Sequence, residues 1–230
     1  MFRPTILRTA AVIAGLAASP AFAAPSLIVS ESSNLFANGS TNATLSYTPT
    51  NFSAIASAGQ FSISVKESVG GLSSLLQVFC TDIFHTLMLP TTYQVGLLAD
   101  TLLNSVKVNQ INALLSNGNR LATTSASSAG LQLAIWEVQN EKGTSGYNLT
   151  TGEFKVTNTD PAALSAAAGY LAKVGSGEWQ ADNHGIVRQL RAEGRQSLSY
   201  LEVPEPASLA LLGIGLAGLV ALRRHAKRVG

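Results

Sequence analysis

Alternating hydrophobic and polar residues predict an antiparallel β-sheet in the first half of the chain. Residues 60–66 place Phe, Ile and Val on one side and Ser and Lys on the other, which is typical of a half-buried strand. Residues 75–82 form a second predicted strand, and its period of two puts Cys80 on the apolar face. A third alternating run covers residues 93–97. Strands this close together along the chain favour antiparallel pairing.

Hydrophobic residues recur at helical spacing after about residue 104, which predicts three helices. The first covers residues 108–118, and the second has its apolar stripe at residues 131–138. The third starts with Asp160 as its cap, is followed by a proline in the first turn, and runs to residue 175. Residues 196–203 form a closing strand. Strands first and helices later predict an α+β body, β-rich and antiparallel in its N-terminal half.

The C-terminal stretch, residues 203–230, contains three parts in a fixed order. They are Val203-Pro204-Glu205-Pro206, an uncharged apolar run over residues 207–222, and a basic cluster that opens with Arg223 and Arg224. At a rise of 1.5 Å per residue the apolar run spans about 24 Å, against about 30 Å for the hydrocarbon core of a bilayer. It predicts a short membrane helix, and the cations after it favour a cytoplasmic end.

This order of parts resembles the PEP-CTERM sorting signal of Gram-negative bacteria, which we assign to residues 204–230. The resemblance implies recognition by an exosortase, a membrane-embedded transpeptidase. That enzyme would remove the tail and pass the body to the cell surface or extracellular matrix. The alternative is a simple C-terminal membrane anchor, which would need the apolar run and the cations but no fixed Pro-Glu-Pro in front of them.

The amino terminus has the features of a secretory signal peptide over residues 1–23. It contains two arginines, an apolar run and the small-x-small site Ala21-x-Ala23, so we predict cleavage between Ala23 and Ala24. The body would then lie in the periplasm while the C-terminal helix holds the precursor transiently in the inner membrane.

Without these two terminal segments the net charge changes sign. The chain has 15 basic and 13 acidic residues, but the body over residues 24–203 has 9 basic and 12 acidic ones, a net charge of −3. The basic excess therefore belongs to the targeting segments. Nothing favours nucleic acid as a partner, because binding it would need a basic face on the folded part. The body is long enough for one domain with a sizeable core.

Cys80 is the single cysteine of an exported chain, in a compartment where disulfides are permitted. It is therefore either buried and inert or retained for chemistry. A secreted cysteine enzyme using Cys80, His184 and an acid is one hypothesis. No protease signature surrounds the cysteine, and His85 would lie on the opposite face if the strand continued. The scattered histidines lack metal-ligand spacing, so we expect no metal and no cofactor.

Arg188, Arg191 and Arg195 recur at helical spacing. A contact with an anionic sugar or lipid is one interpretation. A solvated helix face, with Glu193 among the arginines, is the favoured one.

Two short segments about fifty residues apart carry a second resemblance. Residues 78–80, Val-Phe-Cys, and residues 131–136, Leu-Gln-Leu-Ala-Ile-Trp, resemble the two motifs of bacterial thioester domains. The resemblance implies that the Cys80 sulfur attacks the side-chain carbonyl of Gln132, expels ammonia and leaves an internal thioester. Trp136 lies four residues beyond Gln132, so on a helix it would cover the same patch and exclude water. The alternative is a buried cysteine facing a helix with an ordinary glutamine and a core tryptophan.

Three hypotheses from different classes follow. The first, which we favour, is an exosortase-sorted surface or matrix protein whose non-catalytic body has a structural or adhesive role in exopolysaccharide or biofilm. The second is a covalent adhesin in which the Cys80–Gln132 thioester captures an amine-bearing partner. The third is the secreted cysteine enzyme.

Overall fold

A computed structural model describes residues 25–67, 69–181 and 185–202, which form nine strands and three α-helices. The strands are β1 (Ser26–Phe36), β2 (Thr41–Tyr47), β3 (Phe52–Ala58), β4 (Phe61–Lys66), β5 (Ser74–Cys80), β6 (Thr91–Leu97), β7 (Phe154–Thr157), β8 (Ile186–Arg191) and β9 (Leu198–Glu202). The helices are α1 (Ser105–Gly118), α2 (Ser125–Asn140) and α3 (Pro161–Gly175). The α+β class and the three helices predicted from the sequence are confirmed.

Six strands close into an antiparallel barrel in the order β1-β4-β5-β9-β8-β6. β1 completes the ring because it pairs with β4 along one edge and with β6 along the other. Closure leaves no long unpaired edge in this sheet. The predicted antiparallel sheet of the first half is therefore one part of the barrel, and β8 and β9, from the end of the body, supply the rest.

A second sheet has the order β3-β2-β7, with β2 in the middle. Helix α2 packs against this sheet through β2, β3 and β7, and it also packs against β5 of the barrel. Residues 128–138 of α2 are all buried, as expected of a helix covered on every side. The buried polar residues Ser128, Gln132 and Glu137 therefore need partners inside the protein.

Helix α3 approaches α2 closely at Gly130. A Cβ atom at this position would lie 2.7 Å from the Cβ of Ala166 and 3.0 Å from the carbonyl oxygen of Ala163. Only a residue without a side chain fits there, so the glycine sets the distance between the two helices.

The structure corrects three details of the sequence interpretation. Arg188 and Arg191 lie on strand β8 and Arg195 lies in the turn after it, so the predicted helical face is wrong. Strands β3 and β7 were not predicted. The closing strand begins at residue 198 rather than 196.

The predicted membrane helix over residues 207–222 lies outside the described residues. Within the described part of the chain, no helix combines the length and apolar character that crossing a bilayer requires.

Candidate functional site

Cys80 is the last residue of β5, and at this point β5 is hydrogen-bonded to a neighbouring strand along one edge only. On one side β5 continues alongside β9, since the Thr81 N–H donates to the Ser197 carbonyl at 3.0 Å. On the other side β4 reaches only as far as the pairing of Phe61 with Val78. Hydrogen bonding alternates along an antiparallel pair, so the N–H and C=O of Cys80 point toward the side that β4 has left.

The side chain of Gln132 occupies this vacant strand position. The Cys80 N–H donates to Gln132 Oε1 at 2.9 Å, and Gln132 Nε2 donates to the Cys80 carbonyl at 2.8 Å. A backbone N–H can only donate and a backbone C=O can only accept, so these two contacts fix which end of the carboxamide is the oxygen and which is the nitrogen. Both residues are 1% exposed. The structure therefore brings together the two residues that the sequence predicted as cross-linking partners.

Ser128, one turn before Gln132 on α2, performs a similar role for β4. Its hydroxyl oxygen accepts a hydrogen bond of 2.8 Å from the N–H of Gln60, the residue before β4. The two side chains lie on the same face of the helix because they are four residues apart. Together they dock α2 onto the ends of two neighbouring barrel strands.

The thiol of Cys80 lies in an apolar, desolvated site. Burial raises the pKa of this thiol well above its ordinary value, and the nearby Asp82 carboxylate raises it further. A cysteine hydrolase uses a thiolate, which is stabilised by the opposite conditions. The surroundings of Cys80 thus favour a neutral sulfur and exclude bulk water.

A cavity of about 400 Å³ opens beside Cys80, between the barrel and the three-stranded sheet. Cys80 and Trp136 line it together with aromatic residues, among them Phe52 and Phe84. Phe84 packs edge-to-face against Phe52 at 5.2 Å between ring centroids and is partly exposed at the surface. A small molecule or a slender side chain therefore has space to approach the sulfur from solvent.

Trp136 lies one turn beyond Gln132 on α2 and is 1% exposed. Its spacing from Gln132 is the one that puts two side chains on the same face of a helix, and it lines the cavity together with Cys80. Among the described residues, its Nε1 atom has no hydrogen-bond partner although it is buried. An unpaired buried donor is costly, and this one belongs to a residue that lines the cavity.

His85 lines the same cavity as Cys80, which the sequence did not predict. The opposite-face expectation applied only if the strand continued, and β5 ends at Cys80. His85 Nδ1 lies 2.6 Å from Asp82 Oδ2, and Asp82 Oδ1 accepts a hydrogen bond from the Phe84 N–H at 2.8 Å. The sequence signal for this pair was an Asp and a His three residues apart just after a strand.

The remaining candidate residues lie outside the described part of the chain. They are Ala23 and Ala24 of the signal cleavage site, His184, and the sorting residues Val203, Pro204, Glu205, Pro206, Arg223 and Arg224. Within the described residues, no group of three or more His, Cys, Asp or Glu side chains is arranged to hold a metal ion.

Residues 202–224 match the PEP-CTERM protein-sorting motif. The motif marks this chain as an exported protein with a membrane-anchored precursor, and as a substrate of an exosortase. No match was found among curated proteins.

Two solved structures resemble the body. One is the N-terminal domain of the pilus tip adhesin Cpa of Streptococcus pyogenes, with 12% identity and a TM-score of 0.43, covering 75% of this chain and 97% of that one. The other is the N-terminal thioester domain of a surface protein from Clostridium perfringens, with 10% identity and a TM-score of 0.38, covering 70% of this chain and 99% of that one.

Proposed function

We propose that this exported protein is an adhesive component of the cell surface or matrix, and that its body holds an internal thioester between Cys80 Sγ and Gln132 Cδ. The thioester would capture a partner bearing a primary amine in a single covalent event. The protein would then act as a reagent, without enzymatic turnover, and its setting would be exopolysaccharide or biofilm.

The observation that supports the proposal is the pairing of the Gln132 carboxamide with the backbone of Cys80. Both polar atoms of the carboxamide contact the residue that carries the only sulfhydryl of the chain. This contact holds the carboxamide against the backbone of the residue that carries the sulfur. The site is buried, which protects an acyl bond from water, and it adjoins a cavity, which admits a nucleophile.

The same contacts fit the chemistry of bond formation. As Sγ adds to Cδ, negative charge develops on Gln132 Oε1. This oxygen already accepts a hydrogen bond from the Cys80 N–H, which would stabilise the developing charge in the manner of an oxyanion hole. The C–N bond then breaks, and Nε2 leaves as ammonia after taking the proton of the thiol. The Cys80 carbonyl, which accepts from Nε2, orients the departing nitrogen. A buried, neutral sulfur is well suited to an acyl bond because the thioester carries no charge.

The intact mass of the exported protein tests this proposal. A formed bond makes the native protein lighter by one ammonia and leaves Cys80 unreactive toward thiol reagents after brief unfolding in mild acid. Methylamine should open the bond, add to Gln132 and release one thiol. Cys80→Ala and Gln132→Ala should each abolish both the mass deficit and the methylamine addition. A wild-type protein of full calculated mass with one titratable thiol would contradict the thioester.

A second candidate is a matrix protein without a covalent bond. It is supported by the same two hydrogen bonds, because they satisfy the buried backbone groups at the unpaired end of β5 with no further chemistry. In that case Gln132 would be a structural residue that replaces a missing strand. The mass measurement separates the two candidates, since only the thioester removes ammonia.

A further inference from the structure

We infer that His85, oriented by Asp82, is the base that takes a proton from the amine as it opens the thioester. The inference rests on the proposed Cys80–Gln132 bond and concerns how its partner reacts. It assigns a role to two residues that lie in the loop after β5 and that neither resemblance includes.

The position of His85 supports this role. His85 and Cys80 both line one cavity, so there is space beside each of them for a molecule that enters it. The side chain is 50% exposed, which gives a proton a direct path to solvent. The ionisable residues that line this cavity are Glu31 on β1, Cys80 on β5 and His85 on the loop. Of these three, the histidine is the residue type that most often serves as a general base in proteins.

The orientation of the imidazole ring supports it as well. Asp82 Oδ2 lies 2.6 Å from Nδ1, and an ionised carboxylate only accepts hydrogen bonds, so Nδ1 carries the proton and Nε2 has a free lone pair. Asp82 is itself held in place. Its other oxygen accepts from the Phe84 N–H, and its backbone carbonyl accepts from Gln196 Nε2 at 3.1 Å. A base fixed by a third group is the arrangement that general-base catalysis requires.

The reaction then balances without any other reagent. The amine nitrogen attacks Gln132 Cδ, and His85 Nε2 takes the proton that this nitrogen loses as the C–N bond forms. The C–S bond breaks with its electron pair going to Sγ. Because burial raises the pKa of the Cys80 thiol, the sulfur needs a proton, and the imidazolium of His85 supplies one directly or through water. The products are an amide at Gln132 and a neutral thiol at Cys80.

The test is the rate at which methylamine adds to protein whose thioester has been verified by mass. His85→Gln should lower the second-order rate constant about 10²-fold, at the lower end of general-base effects. Asp82→Asn should lower it less, since it disturbs only the orientation of the ring. Free imidazole in solution should accelerate His85→Gln and leave the wild type unchanged, and the pH dependence due to the imidazole should disappear in the variant.

A matched control is Glu178→Gln, which breaks the exposed ion pair with Lys173 and should not change the rate. A formed thioester that reacts in His85→Gln at the wild-type rate, with the wild-type pH profile, would overturn this inference alone. So would a loss of rate in Glu31→Gln with none in His85→Gln. A wild-type protein that never loses ammonia would instead overturn the proposed function, and this inference with it.

Discussion

The side chain of Gln132 completes the backbone hydrogen bonding of Cys80, at a position that strand β4 does not reach because it begins at Phe61. One carboxamide thereby satisfies two buried backbone groups, which ties the central helix to the barrel. Four predictions about stability and reactivity, and one about sorting, follow from the structure and sequence.

Removal of the Gln132 carboxamide should destabilise the fold even where no thioester exists. In a Cys80→Ala background, Gln132→Leu leaves a buried N–H and a buried C=O without partners, at a cost of about 1–3 kcal/mol for each group. We therefore expect a decrease of about 2–6 kcal/mol in the free energy of unfolding, measured with urea. Cys80→Ala alone keeps both hydrogen bonds and is the control. A loss below about 0.5 kcal/mol in the double variant would mean that the hydrogen bonds contribute nothing net.

Trp136 should protect the acyl bond from water. Trp136→Ala opens space beside Cys80, so the native protein should still lose ammonia but then gain one water faster than the wild type, as followed by intact mass over time. The change also removes a large buried side chain, at a cost of about 3–5 kcal/mol in stability.

Trp136→Phe is the matched variant for this test, because it retains most of the ring and removes a buried N–H that has no partner among the described residues. Its hydrolysis rate should remain near that of the wild type. Equal rates in all three proteins would show that the indole does not exclude water.

Glu137 should make stability depend on pH. Burial raises the pKa of its carboxyl group from an ordinary value of 4.5 to about 7, although the Asn148 N–H, which donates to Oε1 at 2.7 Å, acts in the opposite direction. The folded protein therefore holds a proton between pH 4.5 and 7 that the unfolded chain releases. Stability from this group is complete below pH 4.5 and is lost as pH rises through about 7.

The rise from 4.5 to about 7 corresponds to a loss of about 3 kcal/mol, since one unit of pKa corresponds to about 1.4 kcal/mol. Glu137→Gln keeps the shape and an oxygen for Asn148 but does not titrate. We expect urea unfolding of this variant to be nearly independent of pH over the same interval. A wild-type stability that rises with pH across this interval would contradict the assignment.

The spacing of α2 and α3 should depend on Gly130. Gly130→Ala places a methyl group against Ala166 and the backbone of α3, and overpacking of this kind costs about 1–3 kcal/mol. Gly169→Ala on α3 is the matched control, since no atom lies within 4 Å of the added Cβ. That change should stabilise the protein by up to about 1 kcal/mol through helix propensity. Thermal unfolding should therefore shift in opposite directions for the two substitutions.

Sorting should depend on the Pro-Glu-Pro sequence and not only on the apolar run. Glu205→Ala combined with Pro206→Ala leaves residues 207–222 intact, so a simple anchor would behave as before. If an exosortase recognises the motif, the variant should accumulate unprocessed in the inner membrane. Fractionation and immunoblotting measure this, and a variant with the size and location of the parent protein would support the anchor instead.

The sequence predicted the elements whose pattern is local. The alternation at residues 60–66 and the cap and proline at the start of α3 are properties of neighbouring residues, and they were assigned correctly. Closure of the barrel depends on β1 meeting β6 and on β9 meeting β5, which are contacts between distant parts of the chain. The arginines of β8 show how a chance helical spacing is overridden when a strand is needed to complete a sheet.

The candidate site was predictable to a similar extent. Short motifs predicted the positions of Cys80, Gln132 and Trp136. The contact between Cys80 and Gln132 exists because the pairing of β4 with β5 stops at Phe61 and Val78, which no local pattern indicates. The Asp82–His85 pair was missed because its orientation depends on where β5 stops. Termination points of strands are set by tertiary packing, so single-sequence reasoning locates them poorly.

Strand β9 ends at Glu202, where the matched sorting motif begins. A protein held at that end and bonded to a partner at Gln132 would carry tension between the two points. The force would pass from α2 into β5 and across its pairing with β9, where Phe79 faces Ser199 and Cys80 faces Leu198. Gln132 lies on the buried helix α2, which packs against β5, and Glu202 is the last residue of a strand of the closed barrel. The body would therefore resist stretching as a unit, and lengthening under load would require the barrel itself to open.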